Sequence, residues 1–213
     1  MTISDIYKRY YVSPNLQEHM LTVASVALCI ADHWVGERLD RDRLGKTALV
    51  HDLANTVKFN LDKYPEFLGD EVVNISFWKS KQKELIGKYG QNDHVATEKM
   101  LKEIGFGGDD IKIVQEKSFG NSIVTEKSTG WILKILLYSD LRVLPIGIGT
   151  LEERFKDILE RMPKYSSRPD INNLFSACRE IEKQIQKNID IPLRTINSRS
   201  IIIDKKSLLQ VEV

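Results

Sequence analysis

The sequence predicts an all-α fold on three observations. Apolar residues recur at spacings of three and four along most of the chain, the pattern of helices with one buried face. Glycine, proline and small polar residues gather between those stretches, where helices stop and start. Extended patterning with β-branched residues is confined to the end, after Asp190. Residues 1–188 are therefore read as one helical domain, and 189–213 as a tail with a short extended segment.

Residues 4–11 suit a short opening helix, stopped at Ser13-Pro14. Asn15, with Glu18 three residues on, is the expected cap of a long helix. Leu16, Met20, Val23, Ala27, Ile30 and Trp34 form its stripe, and His19 lies beside it. Gly36 and the charged run 37–43 lead into a second helix faced by Leu44, Ala48, Leu49 and Leu53, which places His51-Asp52 in its second half. Asp62, Pro65, Gly69 and Asp70 mark a loop. Residues 72–89 read as a helix carrying Trp78, Lys79, Lys81 and Lys83. After Gly90, Asn92 or Asp93 caps a helix that starts at His94 and stops at the glycines 105, 107 and 108. Asp109-Asp110 opens a short helix over 111–117, followed by a polar loop from Gly120 to Gly130. Residues 131–143 are apolar almost all round, as in a central helix, and Asp140 and Arg142 interrupt them. Helices over 151–162 and 171–187 follow. Ile191-Pro-Leu-Arg-Thr-Ile and Ser200-Ile-Ile-Ile-Asp look extended.

Composition narrows the function classes. Lys+Arg 31 against Asp+Glu 30 leaves a net charge of +1, which offers no general attraction to nucleic acid or membrane. No stretch approaches 18 uncharged apolar residues, and the N-terminus lacks a signal peptide's apolar core, so a cytoplasmic location is expected. Cys29 and Cys178 lack CxxC spacing and are read as buried free thiols.

The chemistry gathers around Thr47-Ala-Leu-Val-His51-Asp52-Leu-Ala-Asn55. An imidazole and a carboxylate stand there in an otherwise apolar run, and burying them unanswered is costly. They form either an internal polar pair or half of a metal site. Asp140 likewise needs Arg142, a backbone donor or a cation. With His19 the set becomes two imidazoles and two carboxylates, donors that suit a divalent ion. Helical bundles build such sites from facing helices.

The order His, His-Asp, then a distant Asp resembles the HD-domain superfamily of metal-dependent phosphohydrolases. Leu16-Gln-Glu-His19, Leu49-Val-His51-Asp52-Leu-Ala-Asn55 and Ile135-Leu-Leu-Tyr-Ser-Asp140-Leu-Arg-Val carry the likeness, which spans about residues 4–145. It implies an HD-domain helical bundle in which His19, His51, Asp52 and Asp140 bind one divalent metal. Fe, Mn, Mg, Co, Ni and Zn are not distinguished. The implied reaction is hydrolysis of a phosphate ester by a metal-activated water, the substrate being a nucleotide or another small phosphorylated molecule. The alternative is a catalytically weak or inactive HD-domain module that binds a metal and a nucleotide for regulation.

Two-metal relatives use two further histidines. His94 matches the first. The second should fall within 113–119, where the chain has Gln115, Glu116, Lys117 and Ser118. One metal is therefore expected, with Asp52 and His94 as the catalytic residues. His94 would serve as a proton donor, a phosphate contact, an outer neighbour of the metal or a weak ligand, and Glu116 is a possible substitute ligand. Arg142 and Lys58 are the expected substrate contacts, with Lys79 and Lys81 as candidates on charge alone. His33 is read as a surface histidine, and self-association is left open.

Overall fold

The computed structural model describes residues 1–145, 147–201 and 204–213. It is all-α: the described residues form twelve α-helices, four short 3-10 segments and one two-stranded hairpin. In chain order these are α1 (Ile3–Arg9), α2 (Pro14–Asp32), α3 (Arg41–Val50), α4 (Ile75–Tyr89), α5 (Asp93–Glu103), α6 (Gly108–Glu116), α7 (Ser122–Lys127) and α8 (Trp131–Arg142). The strands β1 (Val143–Leu144) and β2 (Gly147–Ile148) follow, then α9 (Leu151–Arg161), α10 (Pro163–Ser166), α11 (Ile171–Gln186) and α12 (Lys205–Leu209). No helix among the described residues is long and apolar enough to cross a membrane.

The chain divides into two compact units. The first comprises Met1–Leu21, Leu49–Gln115 and Asp204–Val213. Thr2 starts α1 with a reciprocal capping box: its hydroxyl accepts from the Asp5 N–H, and the Asp5 carboxylate accepts from the Thr2 N–H. Ile3, Ile6 and Tyr7 from α1 and Tyr10 just after it are buried, as are Met100 and Leu101 from α5. Asn92 caps α5 as expected, its Oδ1 accepting from the Val95 N–H at 3.0 Å. A smaller apolar cluster joins Leu61, Leu68 and Trp78, with Phe59 and Ile75 against it. The tail pairs back on α1, where Thr2 bridges Glu212.

The second unit comprises Thr22–Ala48 and Glu116–Ile203. Its centre is α8, buried from Leu133 through Ser139 as its continuous apolar run requires. Helix α11 packs on α7, α8 and α9, and it buries Leu174, Phe175, Cys178, Ile181 and Ile185. The α9 start repeats the capping box, with Thr150 and Glu153. In the hairpin Val143 faces Ile148 and Leu144 faces Gly147, whose φ of +117° suits glycine.

Several boundaries differ from the sequence reading; the stretch read as a loop before a helix at 72 carries a 3-10 segment over Pro65–Asn74, and the helix starts at Ile75. Helix α2 begins at Pro14, which fills a first-turn position that has no N–H to lose. Asn15 is thus inside the helix, and its Nδ2 donates to the Phe67 carbonyl at 3.3 Å instead of capping. The stretch 120–130 is not all loop, because α7 forms within it and lies against α11. The segment read as extended after 190 makes a 3-10 turn at Leu193–Thr195, and Ile202 and Ile203 of the second extended stretch lie outside the described residues. Cys29 and Cys178 are free thiols; Cys178 is buried and Cys29 half-buried.

Candidate metal centre

Helix α3 stops at Val50, so His51 and Asp52 stand in the turn after it and not in its second half. A helix's last carbonyls have no intrahelical partner. Here the Leu53 N–H bonds the Val50 carbonyl at 3.1 Å, while the Leu49 carbonyl takes the buried Tyr7 hydroxyl at 2.7 Å. Burial pushes the Tyr7 phenol well above its ordinary pKa, which keeps it a donor. The Asn55 N–H then bonds the Asp52 carbonyl at 2.9 Å and starts the next 3-10 turn. The turn sets adjacent residues around one point, which a straight helix, with about 100° between neighbours, would not do.

The side chains converge there. Asp52 Oδ2 lies 3.7 Å from His19 Nε2 and 3.7 Å from His51 Nε2. The imidazole centroids are 5.3 Å apart and tilted by 57°. The His51 side chain is fully buried, while those of His19 and Asp52 are 26% and 19% exposed. His19, His51 and Asp52, all in the first unit, bring two imidazole nitrogens and a carboxylate together, a group of donors that could hold a metal ion. Donors about 2.1 Å from one ion stand about 3.0–3.5 Å apart at angles of about 90–110°. The 3.7 Å spacings need to close by only a few tenths of an ångström. Nitrogen and carboxylate donors together suit a first-row dication, so the residues fit the ion.

The remaining predicted residues are placed differently. His94 is exposed in the first turn of α5 and is not a member of that group. Lys58 Nζ pairs with Asp93 Oδ2 at 2.7 Å. The Asp93 carboxyl is raised by burial but pulled further down by Lys58, and it ends below its ordinary pKa. Lys79 pairs with Asp62, and Lys81 pairs with Glu84. His33 is a surface residue paired with Asp190 at 2.9 Å. Glu116 is exposed at the end of α6.

Arg142 departs furthest from expectation. It is buried, and its guanidinium donates to the Tyr138 hydroxyl at 2.6 Å, the Leu193 carbonyl at 3.3 Å, the Ile196 carbonyl at 2.6 Å and the Gly149 carbonyl. These contacts tie the hairpin and the segment after α11 to α8. A guanidinium used in this way has little left for a phosphate.

Two participants escaped the sequence reading. Tyr7 sits inside an apolar stripe, where a tyrosine looks like core. Lys117 falls in the window where the second histidine is expected, and its Nζ lies 2.8 Å from Asp140 Oδ2 with the side chain 8% exposed. The spacing of the histidine window pointed to that position, but the residue type hid it.

No family profile, curated protein or solved structure matches the chain.

Proposed function

We propose that this chain is a metal-dependent phosphohydrolase of the HD type, acting on a nucleotide or another small phosphate ester. The observation that carries the reading is the Asp52 carboxylate, equidistant from the Nε2 atoms of His19 and His51. Together with Asp140 these would be the four ligands. A divalent ion held there supplies Lewis acidity and lowers the pKa of water. The protein's own part is to hold His51 by burial in the turn after α3 and to set Asp52 between the two imidazoles. Asp52 is partly exposed, so its carboxylate can meet a substrate as well as an ion, and it remains the catalytic candidate. His94 is an exposed group outside that cluster.

One observation favours a second reading, a module that binds metal and nucleotide without turnover. Both cations expected to meet a phosphate, Lys58 and Arg142, are engaged by the protein itself.

Elemental analysis of protein purified without chelator tests the metal. About one ion per chain, lost in His51→Ala and Asp52→Ala, is expected; near-zero metal in the parent protein sinks both readings. A screen of nucleotides and phosphate esters with Mn²⁺, Mg²⁺, Co²⁺ and Fe²⁺ separates the two. Turnover abolished by Asp52→Ala supports the enzyme. Thermal stabilisation by a nucleotide without any turnover supports the module.

A further inference from the structure

Within the second unit, a cavity of about 450 Å³ lies where the end of α7, the first turn of α8 and the end of α11 meet. Lys127, Lys134, Lys187 and Glu126 line it together with Trp131. Lys127 and Lys187 are exposed, whereas Lys134 is buried, at 6% exposure. The Lys134 Nζ donates to Gln184 Oε1 at 2.6 Å and stands 5.1 Å from the centre of the Trp131 ring. Both of these partners are neutral. The Glu126 carboxylate lies at the far end of the same amide, accepting from Gln184 Nε2 at 3.3 Å. Burial pulls the Lys134 amine below its ordinary pKa, and Glu126 offsets only part of that. Lysine is rarely so buried without an anion beside it, so an anion brought to this ammonium is held strongly. Three ammonium groups against one carboxylate leave two positive charges at the cavity. A phosphate monoester carries about −1.5 to −2 at neutral pH and three acceptor oxygens, which complements them. The Trp131 ring and the Lys134 stem offer an apolar wall to its organic part.

We propose that this cavity binds a small phosphate monoester, whose oxygens meet the ammonium groups of Lys134, Lys127 and Lys187. The proposal is independent of the metal reading, since every residue it uses belongs to the second unit. Calorimetric titration of the full chain with phenyl phosphate tests it, at low ionic strength because salt screens the exposed lysines. A chelator in the buffer keeps metal-held phosphate and any turnover out of the signal. Saturable binding is expected in the parent and, with the same affinity, in Asp52→Ala. Lys134→Met should weaken it about ten- to a hundredfold, the loss of one charge-assisted hydrogen bond. The double variant Lys127→Gln, Lys187→Gln should weaken it on the order of tenfold. Benzoate, with a single charge, should bind on the order of tenfold more weakly than phenyl phosphate, and equal affinity for the two would overturn the assignment to a phosphate monoester. No saturable binding in the parent overturns the proposal, as does unaltered affinity in Lys134→Met. Binding lost in Asp52→Ala but kept in Lys134→Met would place the ester with Asp52 and overturn it too. Should Lys134→Met fail to fold, the double variant decides, because both of its positions are exposed; unaltered affinity there overturns the proposal.

Discussion

Replacing Arg142 with methionine keeps a similar apolar stem and removes every donor of the guanidinium. The partners left behind are the carbonyls of Gly149, Leu193 and Ile196 and the Tyr138 hydroxyl. A hydrogen bond to a charged group contributes about 1.5–3 kcal/mol, and a buried acceptor left unanswered costs about 1–3 kcal/mol. Some of these carbonyls lie in short connections that water reaches once the structure relaxes, so simple addition overstates the loss. A destabilisation of about 3–5 kcal/mol is expected, the range for breaking a buried charged network. That is a large part of the about 5–15 kcal/mol that holds a domain together. It corresponds to a melting-point fall on the order of 10 °C for a chain of this length. Urea unfolding followed by circular dichroism measures it. Arg142→Lys should recover less than half, because one ammonium cannot reproduce the planar fork. A loss below about 1 kcal/mol, together with a clear drop in affinity for a phosphate ligand, would refute the assignment and return Arg142 to the substrate.

Tyr7→Phe should cost about 1–2 kcal/mol by stranding the Leu49 carbonyl, and should loosen metal retention although residue 7 touches no ligand; equilibrium dialysis against Mn²⁺ reads the second effect. Glu103 receives the hydroxyls of Tyr89 and Tyr10 and pairs with Arg9 and Lys88. Burial is the largest single influence and raises its carboxyl, but these partners together hold it below the ordinary glutamate value of 4.5. Its charged form therefore stabilises the fold above that value, and the contribution disappears as pH falls through the lower folded-state value. Melting curves of Glu103→Gln and the parent should converge in that acid window. Lys58→Met should change stability by less than about 1 kcal/mol, as for an exposed ion pair, and should leave turnover or nucleotide binding unaltered. A large loss of ligand affinity would place Lys58 on the substrate after all.

The long helices were readable because their signals are local. The stripe of α2, the apolar run of α8 and the Asn92 cap each sit within a few turns of sequence. The elements that were missed depend on distant partners. Helix α7 is six residues of modest helix propensity between glycines, and it forms against α11. The end of α3 is set by a phenol 42 residues earlier in the chain, so no local stop residue announced it. Arg142 looked available because two of its acceptors, the Leu193 and Ile196 carbonyls, lie more than 50 residues further on. The His19, His51 and Asp52 grouping was legible from residue type and order. The inward turn of Lys117 was not, because periodicity alone does not say which of two adjacent charged residues faces the interior.

The Tyr7 hydroxyl gives the turn that carries His51 and Asp52 an unusual dependence. The Leu53 N–H on the Val50 carbonyl closes that turn from within. The phenol on the Leu49 carbonyl ties its start to α1 as well, which is in turn anchored by the Thr2 box and by the strand-like pairing of Thr2 with Glu212. The first helix therefore works as a lever whose long arm lies far from the chemistry. Tags, fusions or substitutions that disturb the first few residues should be felt as a change in how firmly His51 is held. Metal affinity in such variants would report on the integrity of a helix that contributes no ligand.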